Sequence, residues 1–145
     1  MKIPANALVV IADGRKIMFL RNTGDATYPE LEVETLKEQA NPADRDQGTD
    51  TPGRAHSPTG YARSAMSETN FHDLEEARFA AEAAEMLRKQ ALAGSFQKLI
   101  VVAPPRTLGE LRKKYHKEVS DRIIAEVDKD LTGHPVDEIT RLLSD

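Results

Sequence analysis

The chain has no cysteine and no tryptophan. Without a thiol there is no disulfide framework, no thiolate nucleophile and no cysteine-based zinc or iron–sulfur site. Aromatic residues make up only 5% of the sequence, too few for a platform that stacks sugars or single-stranded nucleic acid. No apolar run approaches the roughly 20 residues of a membrane-spanning helix. The short run over residues 7–12 is broken at once by Asp13-Gly14, so it lacks the length of a secretory leader. Positive charge is not in excess either: 20 Lys and Arg stand against 24 Asp and Glu, a net charge of −4. That balance excludes a diffuse field that gathers nucleic acid, while leaving room for local contacts by a few arginines. What is present is 145 residues, 39% apolar and 30% charged. This is one domain, residues 1–145, with enough apolar matter for a core. A reducing, cytoplasmic setting is the expectation for such a chain.

Leu8-Val9-Val10-Ile11-Ala12 is an uninterrupted apolar run rich in β-branched residues, as a strand covered on both faces requires. Asp13-Gly14 between two apolar runs predicts a hairpin with a type I′ turn, leading into a second strand over 16–21. After the turn Asn22-Thr23-Gly24-Asp25, the alternation of Leu31 and Val33 with Glu32 and Glu34 predicts a half-exposed third strand. Its glutamates make it a poor edge for pairing with another chain. A helix is expected over 70–93, capped by Asn70 and stopped by Gly94, with Phe79, Ala83, Met86 and Leu87 as its apolar stripe. Leu99-Ile100-Val101-Val102 is a further buried strand, reached by a crossover and hence parallel to the first. Thr107-x-x-Glu110 reads as a capping box opening a helix with Leu108, Leu111 and Tyr115 on its apolar face. Val119, Ile123, Val127 and Leu131 recur every four residues and predict another amphipathic helix. Pro135 suits the first position of a last helix, with His134 as its cap and Val136, Ile139 and Leu142 facing in. The result is an α/β fold: a mixed sheet, with an N-terminal antiparallel meander and a parallel crossover strand, flanked by helices.

Residues 40–69 fit none of this. Gly48, Gly53, Gly60, Pro42, Pro52 and Pro58 fall there with Arg45, Arg54 and Arg63, and no apolar periodicity appears. A loop of that length inside a compact domain is either functional or disordered, so a long flexible loop able to engage a partner is expected at 40–69.

Catalytic chemistry finds little purchase. There is no Gly-x-Ser-x-Gly elbow, Walker loop or Gly-x-Gly-x-x-Gly, and no catalytic residue is assigned. Asp13, at the end of a central strand, serves either its own Asp-Gly turn or, with Glu32 and Glu34, a metal-dependent hydrolase. His56, His72, His116 and His134 are scattered, and His72 with Glu76 at i, i+4 is a surface contact rather than a zinc site. No metal or cofactor is expected. Arg106, at a helix start, either holds an anion or pairs with a carboxylate. The run Arg112-Lys113-Lys114-Tyr115-His116-Lys117 is either a solvated helix face or a phosphate contact.

Several segments carry a resemblance: Val9-Val10-Ile11-Ala12-Asp13-Gly14-Arg15, Asp50-Thr51-Pro52-Gly53-Arg54, Glu76-Ala77-Arg78-Phe79, Ala103-Pro104-Pro105-Arg106-Thr107-Leu108-Gly109-Glu110-Leu111-Arg112 and Glu126-Val127-Asp128-Lys129-Asp130-Leu131-Thr132. Together they resemble a bacterial host-attachment family, proteins required for attachment to host cells. The layout is also similar to the middle domain of archaeal and eukaryotic class-1 peptide-chain release factors, in which a long loop carries Gly-Gly-Gln. The corresponding stretch here reads Gly53-Arg54-Ala55-His56-Ser57-Pro58-Thr59-Gly60-Tyr61, and Gly-Gly-Gln occurs nowhere. Peptidyl-tRNA hydrolysis is therefore not implied. The resemblance implies a non-enzymatic binding protein that engages the ribosome or structured RNA through the 40–69 loop, with an indirect role in attachment. Arg54, Arg63 and Arg106 are the expected contacts, with Arg45 beside them. A metal-dependent hydrolase and an exported adhesin are the alternatives. No membrane partner is expected.

Overall fold

A computed structural model describes residues 1–38 and 68–145, and of residues 68–73 the backbone alone. The expected loop at 40–69 thus lies outside the described residues, except that Glu68 and Thr69 are already helical. The elements are β1 (Leu8–Ala12), β2 (Lys16–Asn22), β3 (Leu31–Glu38), α1 (Glu68–Leu92), β4 (Leu99–Val102), α2 (Pro105–Arg112), α3 (Lys117–Ser120), β5 (Ile123–Val127) and α4 (Val136–Ser144). The five strands form one mixed sheet in the order β3-β2-β1-β4-β5. The β1–β2 and β2–β3 pairs are antiparallel, and β1–β4 and β4–β5 are parallel.

The unbroken apolar runs have a simple cause, since β1 and β4 lie inside the sheet with both faces covered. Leu8, Val10, Leu99 and Val101 point into a core shared with Phe79, Ala83 and Leu87 of α1 and Leu108 and Leu111 of α2. Val9, Ile11, Ile100 and Val102 point the other way, against Ile3, Leu131, Ile139 and Leu143. Ala80, Ala83, Ala84 and Ala91 are buried on α1, and their small side chains let its backbone lie close to the sheet. Gly94 ends this segment with φ +72°; its amide donates to the Ala91 carbonyl at 3.0 Å and the Ser95 amide to that of Gln90 at 2.9 Å. This is the left-handed helix stop expected of glycine.

Several expectations require correction. The helix expected through 119–131 is the short α3 followed by strand β5. The four-residue spacing does not mark one face here: Ile123 packs on the α1 side of the sheet and Val127 on the other, because the register slips between Leu99 and Ile100. The open edge of β4 settles the matter: the Leu99 amide donates to the Arg122 carbonyl at 2.8 Å and that of Ala103 to the Val127 carbonyl at 3.0 Å. Helix α1 begins before Asn70, which is therefore not its cap. Helix α2 starts at Pro105 with Pro104 as a capless N-cap residue, so Thr107 lies inside it and the capping box does not form. Pro135 precedes α4 as its N-cap residue, and the His134 ring instead contacts the Glu138 carboxylate. In α4 it is Leu143, not Leu142, that packs inward; Leu142 is 37% exposed. The N-terminal ammonium of Met1 satisfies the far end of α4, donating to the carbonyls of Leu143, Ser144 and Asp145 at 3.1, 3.4 and 3.2 Å.

A further correction concerns the β1–β2 turn. The Asp13 amide donates to the Lys16 carbonyl at 2.9 Å, so the central residues are Gly14 and Arg15, and neither has the positive φ of a type I′ turn. Asp13 Oδ1 instead accepts from the Arg15 and Lys16 amides, both at 2.7 Å, which holds the turn in ordinary backbone conformations. Gly14 also leaves room for the Glu76 side chain. A Cβ there would stand 2.5 Å from Glu76 Oε2 and 3.0 Å from Glu76 Cγ.

Tyr115 follows α2 and packs its ring against the α1-side core, yet its buried hydroxyl has no hydrogen-bond partner among the described residues. Burial, reinforced by the Glu126 carboxylate, pushes its ionisation well above the usual tyrosine range. The sign follows from the neutral form being the one the fold favours. Below about pH 10 the effect is constant, and above it only the unfolded chain ionises, so stability falls by at most about 1.4 kcal/mol per pH unit. Tyr115→Phe is expected to leave stability within about 0.5 kcal/mol at pH 8, or to raise it by up to about 1 kcal/mol, because no hydrogen bond is lost. It should also flatten the alkaline decline. Urea melts of both proteins at pH 8 and pH 11 check this, and a loss of more than about 1 kcal/mol at pH 8 would contradict it.

Candidate functional site

Open α/β sheets gather ligands outside the carboxyl ends of their parallel strands. Here that edge is formed by Asp13 after β1, Ala103-Pro104 before α2, and residues 128–132 after β5. Asp13 Oδ2 accepts from the Thr132 hydroxyl at 2.7 Å, and that hydroxyl also lies 2.8 Å from Asp130 Oδ1. A hydroxyl has one proton, so Thr132 serves the two carboxylates in turn. Lys16 Nζ donates to the Thr132 carbonyl at 3.4 Å. Thr132 is buried, and the cluster ties the end of β1 to the segment entering α4.

On the α1 side of the same edge lies a shallow depression lined by Asp13, Gly14, Glu76, Phe79, Thr107 and Glu110. Arg106, in the first turn of α2, places Nε 3.1 Å from Glu76 Oε1. Of the two roles open to Arg106, the structure shows the carboxylate pair. Cations at its rim match two of its carboxylates, Arg106 that of Glu76 and Lys113 that of Glu110.

Arg106 is the one expected contact residue among the described residues; Arg45, Arg54 and Arg63 lie outside them, as do His56 and the side chain of His72. Asp13, Glu32 and Glu34 are not brought together. Strand β2 separates β1 from β3, Arg21 binds Glu34 through Nε at 3.0 Å and Nη2 at 3.2 Å, and Thr23 Oγ1 donates to Glu32 at 3.2 Å. Among the described residues no group of three or more His, Asp or Glu side chains converges on a common point. The basic run after α2 is largely matched by the chain's own acids: Arg112 with Glu126 at 2.7 Å, Lys113 with Glu110 at 3.3 Å and Lys117 with Asp121 at 3.0 Å. Glu126 accordingly raises the Arg112 ionisation, and Asp121 that of Lys117. The ring of His116 caps α3, accepting from the Glu118 amide at 3.0 Å. Sequence reasoning missed Thr132, whose partner Asp13 is more than a hundred residues away and leaves no local signal, and with it Asp130, which meets the same hydroxyl.

The model of bacterial archaeo-eukaryotic release factor family 12 matches residues 6–143. The chain belongs to this family. It is the release-factor likeness, not the host-attachment one, that the comparison supports. No curated protein matches the family-12 chain in sequence. Among solved structures it is similar to an archaeal translation termination factor, aRF1, at 13% identity and a TM-score of 0.47, covering 83% of this chain and 29% of that one. An archaeal protein is matched at 13% identity and a TM-score of 0.46, over 94% of this chain and 38% of that chain. The family-12 chain thus spans well under half the length of either structure. Among its described residues no helix is long and apolar enough to cross a membrane.

Proposed function

We propose that this family-12 chain is a non-enzymatic, cytoplasmic binding protein of translation whose partner is the ribosome or a structured RNA. The observation that carries the reading is the family match over residues 6–143. The absence of Gly-Gly-Gln from the chain argues for binding without peptidyl-tRNA hydrolysis. Arg45, Arg54 and Arg63 are the phosphate contacts in this reading, and Arg106 joins them by exchanging Glu76 for a phosphate. An effect on attachment to host cells would then be indirect, through the proteins whose synthesis changes.

Gradient sedimentation with ribosomes tests it. Co-migration is expected at about 50 mM salt and should fall steeply toward about 200 mM, as counterion release requires. The triple variant Arg45→Ala, Arg54→Ala and Arg63→Ala is expected to weaken binding about tenfold or more and to flatten the salt dependence. A protein that stays at the top of the gradient at low salt, with or without nuclease-treated lysate added, would overturn the proposal.

A further inference from the structure

Strand β3 ends the sheet, so among the described residues no strand pairs with its outer edge. It is eight residues long, and it exposes two large apolar side chains, Val33 at 45% and Leu36 at 55%. In a regular strand, residues three apart point to opposite faces. Here they do not. The register slips between Phe19 and Leu20, so that Val33 faces Leu20, Thr35 faces Phe19, and Glu34 is the extra residue. Val33 and Leu36 consequently share the face of Leu20 and Met18, the α4 side of the sheet. Glu32 and Lys37, opposite Arg21 and Ile17, share the other face, where Lys37 reaches Glu82 of α1.

The bulge therefore makes the facing pattern of β3 read the same from both ends. A twofold axis between Glu34 and Thr35 would set a second β3 antiparallel to the first with every pair on a common face. In that register Val33 meets Leu36 of the other copy, and Glu32 meets its Lys37, each twice. Apolar and opposite-charge cross-strand pairs are the favourable ones. Glu34, the carboxylate nearest the axis, is already neutralised by Arg21. We propose that two copies of this chain associate through the outer edges of β3, in this register, to form a continuous ten-stranded sheet. The glutamates that make the edge look self-repelling in the sequence are, with the bulge, opposite lysine and threonine.

The chain's lack of cysteine allows a background-free test. Antiparallel partners lie about 4.5–5.5 Å apart between Cα atoms, within reach of a disulfide. Val33→Cys and Leu36→Cys chains, mixed under mild oxidation, are expected to give the mixed covalent dimer, while either alone gives at least tenfold less. Equal cross-linking in all three samples, or none, would overturn the register. Solution mass adds a second arm. The wild type is expected to be dimeric at about 100 µM. Glu32→Lys and Lys37→Glu, each setting like charges opposite one another, should each weaken the dimer about tenfold, and an equimolar mixture of the two should restore it. Glu32→Lys leaves the Lys37–Glu82 contact intact and so separates pairing from folding. A wild type that is monomeric at 100 µM, or a dimer indifferent to both variants, would sink the proposal.

Discussion

Asn22→Ala is expected to cost the fold about 3–5 kcal/mol, the loss of several buried hydrogen bonds at once. Asn22 is fully buried at the end of β2. The two N–H groups of its side-chain amide are shared among the carbonyls of Ile3, Pro4 and Asp25 at 2.9, 3.1 and 3.3 Å. Its Oδ1 accepts from the amides of Gly24 and Glu30 at 3.0 and 2.9 Å. One side chain therefore holds the N-terminal segment, the β2–β3 turn and the entry to β3. Alanine leaves those backbone groups without partners in a place water reaches poorly, which is why the cost exceeds that of the lost bonds alone. Asn22→Asp retains the acceptor but cannot donate, and brings a negative charge beside three carbonyls, so it should be no better tolerated. Urea denaturation followed by circular dichroism is the measurement. A loss below about 1.5 kcal/mol for Asn22→Ala would show that relaxation or water replaces the network.

Phe79→Ala should cost about 3–5 kcal/mol, through lost burial and the cavity left behind. Phe79 is 1% exposed and inserts from α1 into the core formed with Leu8, Val10, Ile17 and Phe19. It also lines the depression beside Gly14 and Glu76. The neighbouring stripe residue Met86 is only partly buried, so Met86→Ala should cost less than half as much. Chemical denaturation of the two variants side by side gives the comparison. Equal losses would mean that α1 sits on the sheet in another rotation.

The legible parts of the fold are those whose cause is local. Leu8–Ala12 and Leu99–Val102 declare themselves as double-covered strands because every residue is apolar and many are β-branched. Gly94 marks the end of α1 because a positive φ is cheapest for glycine. The stripe of Phe79, Ala83 and Leu87 shows its face through the 3.6-residue period. The parallel crossover follows from a long helix between two such strands.

Other features have no local cause. Residues 123–127 are a strand because β4 offers an open edge, and Ile123 and Val127 end on opposite faces because the register slips between Leu99 and Ile100. Gly14 reads as a turn glycine, and only the tertiary structure shows that it also lies under the Glu76 side chain, from a helix far along the chain. Arg106 can be read from sequence as an anion holder or an ion-pair partner, and only the position of α1 beside α2 chooses. Asp13 and Thr132 meet because α4 crosses the opposite face of the sheet from α1.

The sequence by itself determined that this is a cysteine-free, tryptophan-free α/β chain with a meander, a crossover and two buried parallel strands, because composition and periodicity act within a few residues. The tertiary structure alone decided the fifth strand, the partners of the charged side chains and the facing of Val33 and Leu36. Each of those depends on which distant backbone edge or carboxylate comes within about 3 Å, and hydrogen bonds and ion pairs act only at such contact distances.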